Sequence, residues 1–217
     1  MAGFDDRRDA GRQLADELVD YADQDDVLVL ALPRGGVPVG FEIAQRLDAP
    51  LDVFLVRKLG SPHNPELAMG AIATGDVRVM NEDVVGSLGI SEDEIEQVAE
   101  REREELRRRE EAYRGDRPAP EVTGKKVILV DDGLATGATM RAAVQALRMR
   151  EPEEIVVAVG TAPRRTAREF EGVVDRFVCI MTPEPFFGVG GSYRDFSQTT
   201  DEEVRELLEK APNPTEG

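Results

Sequence analysis

The 217-residue sequence sets 44 acidic against 27 basic side chains, a formal charge of −17, which argues against nucleic acid or an anionic membrane as the main partner. Its single cysteine, Cys179, allows no internal disulfide and no cysteine zinc cluster, and within Val178-Cys179-Ile180 it reads as a small core residue. No apolar run approaches the ~18 residues that span a bilayer, and the start MAGFDDRRDAGRQ is charged rather than a signal peptide, so the expectation is one cytoplasmic domain over residues 1–217.

The first expected element is a helix around Leu14, Leu18 and Tyr21, which share one face at helical spacing. Asp23-Gln24-Asp25-Asp26 leads into a strand from Val27 to Leu32 that ends at Pro33. After the turn Arg34-Gly35-Gly36, the residues Val37, Phe41, Ala44 and Leu47 recur at helical spacing, and Leu51 to Val56 reads as a second strand. A Gly- and Pro-rich segment over about 57–80 follows, with Thr74-Gly75-Asp76 as a hairpin turn. Ser91-Glu92-Asp93-Glu94 is a capping box opening a helix to about Tyr113. That helix is laced with alternating charges and has only Ile95, Val98, Leu106 and Tyr113 as an apolar stripe.

Past the linker 115–120, strands are expected around 127–130, 155–159 and 173–180, separated by helical patterns. A last helix begins near Thr200 with Asp201, Glu202 and Glu203 in its first turn. Apolar runs without alternation belong to strands buried on both faces, so the predicted class is α/β with a doubly wound, mainly parallel sheet and a core over about 25–180. Ligands of such sheets bind at the carboxyl ends of the strands. Three unusual loops gather there: Pro33 to Gly36, the segment after Arg57-Lys58, and Asp131 to Thr139.

In Val127-Ile-Leu-Val-Asp-Asp-Gly-Leu-Ala-Thr-Gly-Ala-Thr-Met140, four apolar residues run into two carboxylates and then into a small-residue loop before a helix. Backbone N–H groups at such a helix start hold phosphate, whereas two acids repel it and must serve another part of the ligand. It is not a Walker loop, because no lysine lies between Asp131 and Thr139. The pattern resembles the signature of the type I phosphoribosyltransferases, whose donor is phosphoribosyl pyrophosphate (PRPP). The resemblance implies that Asp131 and Asp132 accept hydrogen bonds from the ribose 2- and 3-hydroxyls. It implies too that Ala135, Thr136, Gly137, Ala138 and Thr139 cradle the 5-phosphate.

By the same resemblance, Arg34, Gly35 and Gly36 form a pyrophosphate loop, Lys58 and Arg34 receive charge on the leaving group, and the 57–80 segment is a mobile loop. A hood over about 181–200, completed by the terminal helices, would hold the base against Phe187, Val189 and Tyr193. Mg²⁺ is the implied cofactor, with Asp131, Asp132 and Asp195 as candidate ligands; the implied partners are PRPP, a nitrogenous base and a second copy in a homodimer. Oxopurine enzymes carry an acid where this chain has Ala135, which points to adenine or a non-purine acceptor. From Leu59 to Asp76 there is no Lys or Arg, only His63, a candidate for proton transfer. Two rivals stand beside the transferase: a non-catalytic PRPP or nucleotide sensor, and a hydrolase in which His63 or Glu66 positions water. Only four of the 27 basic residues are lysine, and an acidic, lysine-poor surface suits a cytosol rich in salt.

Overall fold

The computed structural model describes residues 3–212. Helix α1 (Arg7–Glu17) precedes strand β1 (Val27–Ala31), helix α2 (Gly36–Leu47) and strand β2 (Leu51–Val53). Strands β3 (Val56–Ser61), β4 (Asn64–Ala73) and β5 (Val77–Met80) lead into helices α3 (Glu82–Leu88) and α4 (Glu92–Arg114). Strand β6 (Lys126–Gly133), helix α5 (Ala138–Arg148), strand β7 (Glu154–Thr161), helix α6 (Arg164–Glu171), strand β8 (Arg176–Met181) and helix α7 (Asp201–Lys210) complete the order.

The main sheet runs β2-β1-β6-β7-β8, and every pairing in it is parallel. Strands β1, β2, β6 and β7 are buried on both faces and the edge strand β8 is part-buried, and successive residues feed opposite cores. Val29, Ile128 and Val156 pack on one side with Leu14, Ile43 and Leu207, while Leu30, Leu129 and Val157 pack on the other with Val144, Leu147 and Phe170. Helices α1, α2, α4 and α7 thus cover one face and α5 and α6 the other. Burying each such Leu, Ile or Phe contributes ~1.5–3 kcal/mol, and this two-sided burial holds the strand tips in register.

Local signals account for the helix limits. Ser91 and Glu94 form the reciprocal capping box at α4, and Asp6, Asn81 and Thr200 cap α1, α3 and α7 by accepting from backbone N–H groups. Asp48 and Gly89, both left-handed, close α2 and α3.

Three expectations need correction. The second strand is two: after β2 the chain leaves the sheet at Phe54 and Leu55, which bury into opposite cores, and β3 enters a second sheet. The 57–80 segment, expected as a Gly- and Pro-rich loop with a hairpin turn at 74–76, is an antiparallel three-stranded flap, β3-β4-β5, with that turn between β4 and β5. Its Gly60 and Gly70 are demanded by packing, since a Cβ on either would collide with the carbonyl of Pro65 or Val79 on the facing strand. Strand β6 runs on through Asp131 and Asp132 to Gly133, with Asp131 in register with Val159.

Candidate functional site

Three chain segments converge at the carboxyl ends of β1 and β6. Asp131 and Asp132 lie on β6; the Asp132 N–H donates to Asp131 Oδ1 at 2.8 Å, and Arg7 Nε donates to Asp132 Oδ2 at 2.8 Å. Asp131 Oδ2 and Asp132 Oδ1 make no hydrogen bond to any described residue. Burial pushes both carboxyl groups above the usual range, Asp131 the further because the Asp132 charge adds to it, while Arg7 opposes the rise at Asp132.

The turn Arg34-Gly35-Gly36 presses against this pair. A Cβ on Gly35 would collide with Asp132 Oδ2, and one on Gly36 would lie 2.6 Å from the Val130 carbonyl and 3.0 Å from Asp131 Cα. Glycine is therefore the residue that lets the loop touch the acids. Arg34 is part-exposed, 3.7 Å from Asp201.

Beyond the acids, Ala135 and Thr136 are exposed, Gly137 takes φ +73°, and Ala138 and Thr139 open helix α5 with exposed side chains. Gly137 is again obligatory, because a Cβ there would come 2.6 Å from the Phe170 ring. The Thr166 hydroxyl donates to the Ala135 carbonyl and Arg141 Nη2 to that of Thr136, fixing the loop from behind. The N-cap residue Gly137 has no side chain to cap α5; the Ala138 N–H makes one long bond to the Thr136 hydroxyl at 3.4 Å, and the helix start presents the positive end of its dipole, an arrangement suited to an anion.

Lys58 sits on β3, half exposed and 3.6 Å from Glu66. It lines a cavity of about 670 Å³ with Arg57, Glu66, Arg101 and Thr139, so the flap, helix α4 and the small-residue loop share one space. Arg101 is missing from the expectations because only tertiary packing of α4 brings it to the same cavity as Lys58. His63 is at the exposed tip of the β3–β4 turn, 3.8 Å from Glu94.

The hood is built from both ends of the chain. The Phe4 N–H donates to the Ser192 carbonyl, and the Arg194 and Asp195 N–H groups donate to the carbonyls of Phe4 and Asp5. Phe187 is 84 % exposed, and Val189 packs over Gly133, where a Cβ would lie 2.7 Å from its Cγ1. Tyr193 corrects the expectation of an open face: its ring is buried, 5.1 Å from Phe4 and 5.2 Å from Phe196, and its hydroxyl donates to the Asp132 carbonyl at 2.5 Å. Asp195 does not join the acid pair. Among the described residues no three His, Cys, Asp or Glu side chains gather as a metal group. Asp195 instead accepts from the Ser197 N–H, which holds it below the usual carboxylate range, and Arg7 reaches both Asp132 and the Ser197 carbonyl.

A strand-borne acid pair, a glycine loop pressed on it and a helix start meet at one edge of the sheet, and residues 5–193 match the model of the phosphoribosyl transferase domain. The chain belongs to the type I phosphoribosyltransferase family. The crystal structure of TT1426 from Thermus thermophilus superposes with a TM-score of 0.86 at 40% identity, covering 96% of this chain and 99% of that one. Provisionally named phosphoribosyl transferases from two strains of Mycobacterium tuberculosis are 48% identical over 211 residues, 97% of this chain and 47% of theirs. The chain therefore spans about half the length of these curated relatives. A stretch of 40 residues is 60% identical to the bifunctional protein PyrR of Halalkalibacterium halodurans. A phosphoribosyltransferase fold accounts for the parallel sheet and for the position of the acids at its carboxyl edge.

Proposed function

We propose that the protein is a phosphoribosyltransferase that moves ribose 5-phosphate from PRPP to a nitrogenous base and releases pyrophosphate. The observation that carries this reading is the open oxygens of Asp131 and Asp132 on one side of the loop and, on the other, the start of α5, whose N-cap Gly137 supplies no side chain. A ligand with a dihydroxylated ring at one end and a dianion at the other matches that order.

In this reading Asp131 and Asp132 accept from the ribose hydroxyls. The N–H groups from Ala135 to Thr139, with the Thr136 and Thr139 hydroxyls, hold the 5-phosphate. Bond breaking at C1 builds positive charge on the sugar and negative charge on the leaving group. The acids balance the first; Arg34, the N–H groups of Gly35 and Gly36, and Lys58 with Arg101 across the cavity receive the second. The nitrogen acceptor attacks the opposite face, so the configuration at C1 inverts and no bond to the protein forms.

Two carboxylates with open oxygens suit Mg²⁺ that arrives on the donor, since such ions keep several waters and take one or two protein carboxylates beside substrate phosphates. When bound, the ion neutralises charge on the pyrophosphate. Phe187, exposed beside Val189, offers the planar base a stacking face, and His63 is the titratable group at the flap tip. Ala135, where oxopurine enzymes place an acid, favours adenine or a non-purine acceptor. Family resemblance extends the reading to a cytoplasmic homodimer.

The test is to incubate the protein with PRPP, Mg²⁺ and a panel of bases and to follow pyrophosphate. Release that depends on one base is the expected result. Release without any base identifies a hydrolase, and tight PRPP binding without release identifies a sensor, a reading favoured by the lack of Lys and Arg in 59–76. Absence of both binding and release sinks the proposal.

A further inference from the structure

We infer that Arg7 is a positioning residue of the donor site, acting through Asp132, and that it ties the seating of the hood to the ribose subsite. The inference rests on the donor reading above.

Arg7 opens helix α1, directly after its cap Asp6, and lies 125 positions from Asp132 in sequence. Its side chain is only 12% exposed and makes three attachments. Nε donates to Asp132 Oδ2 at 2.8 Å, Nη1 donates to the Ser197 carbonyl at 2.7 Å, and the guanidinium lies 4.0 Å from the centroid of Phe196. A guanidinium is a rigid planar fork, so fixing one donor on the hood carbonyl fixes the direction of the other. The position of residues 196–197 thereby sets where Asp132 Oδ2 is held.

The rest of Asp132 is held as tightly. Its N–H donates to Asp131 and its carbonyl accepts from the Tyr193 hydroxyl, a second link to the hood. With the backbone and Oδ2 occupied, Oδ1 is the atom left for a ligand. Gly35 completes the junction, because a Cβ there would collide with Asp132 Oδ2 and stand 3.3 Å from Arg7 Nε. Pyrophosphate loop, acid pair and hood thus meet at one guanidinium. Without it, a buried carboxylate loses the countercharge bonded to it and is free to turn its open oxygen away, while the hood loses one of its ties to the sheet.

The test is calorimetry with two probes: ribose 5-phosphate, which reaches the acids, and inorganic phosphate, which reaches only the α5 start. Arg7→Met keeps an apolar stem over Phe196 and removes both hydrogen bonds. It is expected to weaken ribose 5-phosphate about tenfold or more and to leave inorganic phosphate unchanged, with Arg7→Lys recovering part of the loss. In an Asp132→Asn background Arg7→Met should add little, because a residue acting through Asp132 has nothing left to act on. Equal losses for the two probes, or losses that add across the double variant, overturn the inference and return Arg7 to a structural role. Should Arg7→Met fail to fold, the same cycle run with Arg7→Lys reads the same coupling. A parent protein that binds no ribose phosphate refutes the donor reading itself, a result seen before any variant is made.

Discussion

At Asp131 and Asp132 the burial that pushes both carboxyl groups up also gives weight to each hydrogen bond they accept. Charge-assisted bonds contribute ~1.5–3 kcal/mol each, so Asp131→Asn and Asp132→Asn are expected to fold yet to lose PRPP affinity by about that amount in calorimetry with Mg²⁺. The loss should shrink for a donor analogue lacking the 2- and 3-hydroxyls, and tight PRPP binding by both Asn variants would remove the acids from the site. Thr139→Val, exposed at the start of α5, should weaken any ligand with a 5-phosphate, because one hydroxyl leaves while the backbone N–H groups stay. Phe187 and Tyr193 show how aromatic residues of one glycine-rich stretch divide between tasks. Tyr193 is enclosed between Phe4 and Phe196, whereas Phe187 is 84 % exposed. Phe187→Ala is thus predicted to raise the acceptor KM at nearly constant donor affinity and melting temperature. A clear drop in melting temperature would assign Phe187 to packing.

Among the elements, the β6–loop–α5 unit was legible from its residues, because four apolar positions, two acids and a Gly-rich turn state a buried strand, its tip and a helix start in order. Only the limits moved: the acids are on β6 and Ala138 and Thr139 are already in α5. Gly137 is the joint, with φ +73° and the Phe170 ring where a Cβ would stand. Gly137→Ala is expected to destabilise the fold by ~1–3 kcal/mol through left-handed strain alone, read as a lower melting temperature, and an unchanged melt would refute the steric account. Of the flap, only the turn Thr74-Gly75-Asp76 between β4 and β5 was legible. Gly60, Pro62, Pro65 and Gly70 read as loop punctuation, yet Leu59 and Met69 are fully buried, and Gly60 and Gly70 let neighbouring strands close up. Its pairing depends on contacts with helix α4, where Arg57 meets Glu102 at 2.6 Å, and that partner lies 45 residues away.

Over the whole molecule the charge is −17, and most ion pairs among the described residues have at least one exposed partner, so they contribute little individually. Net repulsion between carboxylates is then the larger electrostatic quantity, and salt screens it over a few ångströms. Thermal stability is predicted to rise from low to molar potassium chloride; a flat or falling melting temperature would count against adaptation to salt. The sequence by itself determined the parallel α/β class, because unbroken apolar strands alternating with amphipathic helices have no other way to bury both sheet faces. It also determined the strand–loop–helix unit from Asp131 to Thr139, because the acids, the glycine and the helix start are contiguous and their geometry follows from local backbone rules. What only the tertiary structure decided are the partners brought from afar: Arg7 on Asp132, Gly35 against the same carboxylate, Arg101 on the cavity that Lys58 lines, and Tyr193 enclosed in the hood. Each depends on where a helix or loop lands on the finished sheet. That position is set by the summed packing of two cores, and no short stretch of residues contains it.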